Sequence, residues 1–331
     1  MIVSRTPLRV SLFGGGSDYK EFYAQNGGAV LGFAIDHFCY IHLKRVKTPL
    51  DWRHRIVWSE IELVKEIHEI HHPVVREAMR LSPPHTGIEL HHISDLPART
   101  GLGSSSSFTV GLVNALAALK GHRVTPAALA DRAIHIEREI LRENVGDQDQ
   151  TWAAHGGFNF IEFEPSGLRK VHPLVVRPTT RDTLEKHLML FFTGLSRHAS
   201  IVAGDQLKNF PARQTTLHEI VDVARHARHV LETGLPLAEI GTLLHETWMM
   251  KRSLAPSVST PEIDNVYETA LKAGAIGGKL LGAGGGGFVL LFVPLERQVL
   301  VREMLYPLKD IPFKVGAPGS TITQFDDPER T

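Results

Sequence analysis

The chain has a single cysteine in 331 residues, Cys39, so no disulfide can form within it. That excludes a disulfide-stapled scaffold and suits a reducing, cytoplasmic compartment. It also lacks net charge, because 36 Lys and Arg balance 36 Asp and Glu. With no general field to attract nucleic acid or an anionic membrane, neither is expected as a partner. Long hydrophobic runs are missing as well. In the opening MIVSRTPLRVSLF, Arg5 and Arg9 interrupt short apolar stretches, so it reads as neither a signal peptide nor a membrane span. No internal repeat is visible. HEIHH at 68–72 places His68 and His72 four apart but brings no carboxylate or cysteine at zinc-ligand spacing. The 19 histidines therefore read as surface groups that tune charge near neutrality.

What is present is an ordinary globular mix, 43% hydrophobic and 22% charged, which excludes disorder and collagen. A chain of this size buries roughly 75% of its unfolded surface, enough for one or two domains. Strand patterns occupy 2–13, 30–46, 88–93, 158–164, 188–193 and 288–293. Residues 105–120 carry Phe108, Leu112, Leu116 and Leu119 at helical spacing, with Gly121 as a stop. Thr125 and Pro126 fit the N-cap and first turn of a second helix over 126–143. Further helices are expected over 200–232, 236–252 and 261–273, with Trp248, Met249 and Met250 in the core. The mixed order predicts an α+β fold in two layers rather than a regular βαβ array. The Pro-rich stretch near 173–181 predicts a boundary, giving domains 1–178 and 179–331. The tail QFDDPERT is expected to fray.

Three glycine-rich segments carry the chemistry: FGGGSD at 13–18, GLGSSSS at 101–107 and GAGGGG at 282–287. Glycine admits positive φ and lets backbone N–H groups come close to a ligand. The second segment opens a strong helix, and free N–H groups at a helix start attract anions. The third contains a formal GxGxxG at Gly282, Gly284 and Gly287, but a strand follows where a dinucleotide fold needs a helix. A Walker A loop fails too, since Leu280 follows Lys279 where Ser or Thr is required. A nucleotide held here uses neither common loop.

Taken together, RTPLRVSLFGGGSDY, LPARTGLGSSSS and KLLGAGGGGFVLL resemble the three motifs of the GHMP kinases, in the right order. That superfamily includes galactokinase, homoserine kinase, mevalonate kinase and phosphomevalonate kinase. The opening and the GDQDQ segment are similar to its D-glycero-D-manno-heptose 7-phosphate kinase branch, which phosphorylates an anomeric hydroxyl. Where galactokinases have Gly-Glu-His-Thr-Asp, this chain has Gly-Gly-Gly-Ser-Asp at 14–18, so galactose is not the expected acceptor.

The resemblance implies a two-domain fold with the active site in the cleft, and ATP and Mg²⁺ as cofactors. It places Gly101, Leu102, Gly103, Ser104, Ser105 and Ser106 on the nucleotide phosphates. Ser105 and Glu137 match the Mg²⁺ ligands, with Glu139 a rival. Asp149 matches the catalytic aspartate, with Asp147 as the local alternative, and Arg9 either orients it or meets the transferring phosphate. Substrate contacts are expected from Gly15, Gly16, Ser17 and Asp18, and from Gly284 and Gly285. A sugar phosphate needs a second anion site. Lys20, Arg45, Arg197, His198, Lys251 and Arg252 are eligible, and Arg197 has the best context. The expected activity is phosphorylation of a heptose 7-phosphate, with possible assembly as a homo-oligomer. The alternatives are an anomeric kinase for a free sugar such as fucose, or a non-catalytic sensor on the same fold.

Overall fold

The computed structural model describes residues 1–47, 51–195 and 199–326. Its first sheet has eight strands built around the 18-residue strand Gly28–Arg45. That strand pairs along its length with Ile2–Phe13. Its first half also pairs with Phe158–Phe163, and its second half with Ile88–Ser94. One long ribbon thus joins two parts of the sheet, and its pairing with the first strand shifts register between Pro7 and Leu8. His54–Val57 adds in parallel to Ile88–Ser94.

The helix Ser104–Leu119 is buried almost all round. A Cβ at Gly111 would lie 2.8 Å from Thr6 Oγ1, so glycine lets this helix settle onto the sheet. Val110, Leu112 and Leu116 fill the contact, each contributing about 1.5–3 kcal/mol by burial.

The second sheet has four antiparallel strands: Lys309–Asp310, Leu188–Phe192, Phe288–Phe292 and Gly277–Leu280. The helices Gln214–Thr233, Ala238–Arg252 and Pro261–Lys272 accompany it. Sheets and helices mix as an α+β fold should. The helix expected over 200–232 is interrupted at Phe210–Arg213, because Pro211 lacks the N–H that would carry it through. Trp248 is buried, but Met249 turns to solvent. The tail is ordered through Thr321–Phe325, which pairs with the first strand, while 327–331 lie outside the described residues.

Leu8, Val10 and Phe33 share one apolar cluster with Leu217, Ile220, Leu244 and Leu254. This cluster and the returning last strand both cross position 178, so the division into 1–178 and 179–331 stands as a proposal about folding units.

Thr125 caps the second helix as the sequence suggests, accepting from Ala128 N at 3.3 Å. The α-helix ends at Ile134 and continues as a π-helical turn over His135–Ile140. Such turns are rare and shift the side-chain phase. Here the turn carries Glu137 fully into the interior.

Candidate active site

The glycine segments meet backbone to backbone. Gly101 and Gly103 have φ of +84° and +73°, the left-handed region that other residues avoid. A Cβ on Gly282 would sit 2.5 Å from Gly101 Cα, and one on Gly101 would sit 2.4 Å from Leu281 O. Phe288 N donates to Thr100 O at 3.1 Å, which locks the third segment to the second. The start of the Ser104–Leu119 helix has no side-chain cap and opens into a cavity of about 970 Å³. Gly101, Gly103, Ser104, Ser105 and Ser106 line it. Unpaired N–H groups and the helix dipole make this wall an anion site. Leu102 is the exception. Its side chain is core, and its carbonyl instead accepts from Arg9 N at 3.0 Å.

Arg9 projects from the first strand into the same cavity, almost fully buried. Its Nε and Nη2 donate to the two carboxylate oxygens of Asp149 at 2.7 and 2.6 Å. Its Nη1 donates to Gly101 O at 2.6 Å. One guanidinium therefore fixes both the carboxylate and the phosphate loop, a task suited to its rigid fork. Asp147 cannot take the place of Asp149. It is enclosed by Tyr23, Arg138 and Arg169, with no surface left for a ligand. Burial pushes its carboxyl up to about 6, and Arg138 opposes the shift.

Glu137 lies behind the helix start. Ser106 Oγ donates to its Oε2 at 2.9 Å, Thr109 Oγ1 to its Oε1 at 2.5 Å, and Gln150 Nε2 to its Oε2 at 2.5 Å. Burial nevertheless pushes the carboxyl up to about 7. Glu139 turns outward and pairs with Arg138 and Lys20. Ser105 is exposed at the cavity wall, so the hydroxyl that meets Glu137 belongs to Ser106, one position on from the expected serine.

Gly15, Gly16 and Asp18 also line the cavity. Asp18 is buried and accepts from Gly16 N at 3.0 Å and Gln148 N at 3.4 Å. Burial raises its pKa, the Gly16 hydrogen bond counters this, and the nearby Asp149 adds to the rise. Ser17 corrects an expectation. It is fully buried, with its hydroxyl on Gly14 O and Ala29 O, so it shapes the turn and is not part of the cavity wall. Gly284 and Gly285 also differ from expectation. They back onto Val258, and the third segment offers Gly282 and Ala283 to the cavity instead.

Among the candidate cations, Lys251 reaches the cavity, with its Nζ on Gly282 O. Burial pulls it down to about 8, and Arg9 adds to the shift. Lys279 is also in the wall, donating to Ser11 O and Leu12 O at 3.1 and 2.9 Å. Lys20 and Arg252 pair with Glu139 and Asp264, and Arg45 reaches Leu119 O. Arg197 and His198 lie outside the described residues.

The cavity is also lined by rings that the sequence reading did not assign, Trp58, His72, His92 and Phe108. Trp58 and His72 meet edge to face at 4.9 Å, and both His72 and His92 pack on Phe108 at 4.8 Å. His72 also caps the helix Pro73–Leu81. Burial pulls His72 down to about 4 and lowers His92, so both imidazoles are neutral at pH 7.

Family models place the chain against known proteins. The GHMP kinases N terminal domain matches residues 62–157, and the GHMP kinases C terminal matches 234–307. A D-glycero-alpha-D-manno-heptose 7-phosphate kinase of Campylobacter jejuni is 30% identical, covering 92% of this chain and 93% of that protein. A bifunctional fucokinase/GDP-fucose pyrophosphorylase of Arabidopsis thaliana is 25% identical over 93% of this chain but 31% of its own length. The crystal structure of a D-glycero-D-manno-heptose 1-phosphate kinase from Bacteroides thetaiotaomicron superposes with a TM-score of 0.81 at 24% identity, covering 99% of this chain and all of that one. With the helix start, Arg9 and Asp149 converging on one cavity, the chain belongs to the GHMP kinases and is a phosphotransferase with an alcohol group as acceptor.

Proposed function

We propose that this kinase transfers the γ-phosphoryl group of ATP to the anomeric hydroxyl of D-glycero-D-manno-heptose 7-phosphate, giving the 1,7-bisphosphate. The observation that carries the reading is the Asp149 carboxylate, held by Arg9 in the same cavity as the uncapped helix start. The likeness to the Campylobacter jejuni enzyme supports the choice of sugar.

The neutral rings at Trp58, His72, His92 and Phe108 suit an uncharged planar base. The N–H groups at 101–106 then face the phosphates, and Asp18 faces sugar hydroxyls. Asp149 takes the proton of the attacking hydroxyl as the new O–P bond forms and the bond to the leaving diphosphate breaks. An anomeric hydroxyl is more acidic than an ordinary alcohol, so a carboxylate is base enough. Arg9 keeps that carboxylate aimed.

The set is oxygen-only, as Mg²⁺ favours: Ser105 and Ser106 line the cavity, and Glu137, buried behind them, reaches it through the Ser106 hydroxyl. Those residues would hold the ion, and when bound it supplies neutralising charge for the phosphates.

Lys251 adds a cation next to Arg9, Asp18 and Asp149. Its ammonium loses its proton as pH rises past about 8, so kcat/KM is expected to fall on a basic limb near that value. Lys251→Arg should push this limb to higher pH, and Lys251→Met should abolish it and lower turnover about 10–100-fold. A flat wild-type profile to pH 10 in a buffer series would remove Lys251 from the chemistry.

The acceptor is tested by ADP release over a panel of heptose, mannose, fucose and their terminal phosphates. Turnover with the phosphorylated heptose is expected. Preference for free fucose would move the assignment to the second sugar, and no release with any sugar would favour the non-catalytic sensor.

A further inference from the structure

Ser11 Oγ and Gln148 Oε1 are buried polar atoms without a hydrogen-bond partner, and both residues line the cavity. Ser11 is 5% exposed and Gln148 is 9%. They come from distant parts of the chain, the first strand and the first residue of the helix Gln148–His155. They converge over Gly15, where a Cβ would stand 3.6 Å from both the Ser11 hydroxyl and the Gln148 Nε2. Asp18 belongs to the same corner, because Gln148 N donates to its carboxyl.

Buried hydroxyls and carbonyls are almost always paired, since leaving one unpaired opposes folding. Two such atoms on one wall, from unrelated elements, mark a place shaped for a ligand rather than for packing. The chemistry of the groups narrows that ligand. The Gln148 oxygen and the Asp18 carboxylate accept, the Gln148 Nε2 that faces Gly15 donates, and the Ser11 hydroxyl does either. A partner that both donates and accepts satisfies all of these groups, and a sugar hydroxyl does both.

We propose that Ser11 and Gln148 are specificity-determining residues that read a pair of ring hydroxyls on the acceptor, beside the hydroxyl that is phosphorylated. The inference rests on the sugar-kinase reading and deepens it. Gly15 stays small because this corner holds the ring.

The test uses Ser11→Ala and Gly15→Ala with the sugar the wild type turns over best, and with its monodeoxy analogues. Gly15 has no left-handed φ, and its added methyl meets nothing closer than 3.6 Å, so Gly15→Ala should fold. Ser11→Ala is expected to raise the acceptor KM about tenfold, the worth of one hydrogen bond to a hydroxyl. The nucleotide KM should stay within twofold, and the melting temperature should hold or rise because an orphaned hydroxyl is gone. The penalty should vanish with the one deoxy sugar that lacks the matching hydroxyl. Gly15→Ala should raise the acceptor KM for every sugar at unchanged nucleotide KM. An unchanged acceptor KM in Ser11→Ala, an equal penalty with every deoxy sugar, or a lowered melting temperature alone would overturn the inference while the wild type still turns over sugar. A wild type that releases no ADP with any sugar overturns the underlying reading, and the inference with it.

Discussion

Asp149→Asn is expected to lower turnover by about 10²–10⁴-fold, the usual worth of a general base, while ATP binding stays nearly intact. Asparagine keeps the size of the side chain and one acceptor oxygen, but it cannot take a proton at neutral pH. It also breaks the paired Nε and Nη2 hydrogen bonds from Arg9. Two roles therefore disappear together, and magnitude separates them. A loose phosphoryl-transfer transition state asks little of a base, and in that case the aspartate serves mainly to hold Arg9. A loss smaller than about tenfold would assign it that lesser role. Single-turnover kinetics with saturating nucleotide give the chemical step, and calorimetry gives the ATP affinity. Asp149→Glu completes the series. It retains the charge but misplaces it by one methylene, so it should recover Arg9 pairing and stability better than it recovers rate.

The parts of this site that were legible in the sequence are those whose chemistry depends on residue type alone. Runs of glycine before a helix and before a buried strand stand out without knowing what they face. Asp149 and Arg9 follow from motif order, and the structure places them in contact across 140 positions. What was not legible depends on phase and long-range pairing. Leu102 and Ser17 sit among site residues in the chain yet turn inward, because one step along a turn reverses a side chain. The left-handed Gly103 sets the start of the helix, so Ser106 rather than Ser105 meets Glu137. About 100° separates neighbouring helical side chains, which makes a one-residue error decisive. The rings at Trp58, His72 and His92 are joined by a parallel pairing of 54–57 with 88–91, which no local periodicity announces. Ser11 was hidden in a strand pattern that is otherwise apolar, with nothing local to mark its hydroxyl as unpaired.

Glu137→Gln is expected to separate stability from activity in opposite directions. The folded carboxyl is raised from the ordinary 4.5 to about 7. Between those values the folded chain holds a proton that the unfolded chain has released. Stability contributed at this position is therefore lost as pH rises from about 4.5 through about 7 and stays lost above. The gap of about 2.5 units corresponds to about 3 kcal/mol at most. Glutamine carries no charge to bury and can still accept from Gln150 Nε2, so the variant's melting temperature should equal or exceed the wild type's at pH 8. At pH 4.5 the two should converge. Mg²⁺ reverses the comparison, because a cation next to Ser106 favours the ionised carboxylate. Added Mg²⁺ with nucleotide should raise the wild-type melting temperature by several degrees and leave the variant nearly unmoved. Turnover in the variant should drop about 10²–10³-fold, the scale of losing one fixed electrostatic partner of the transferring group. If Glu137 were only a packing residue, the variant would melt lower at pH 8, respond to Mg²⁺ like the wild type and keep its rate.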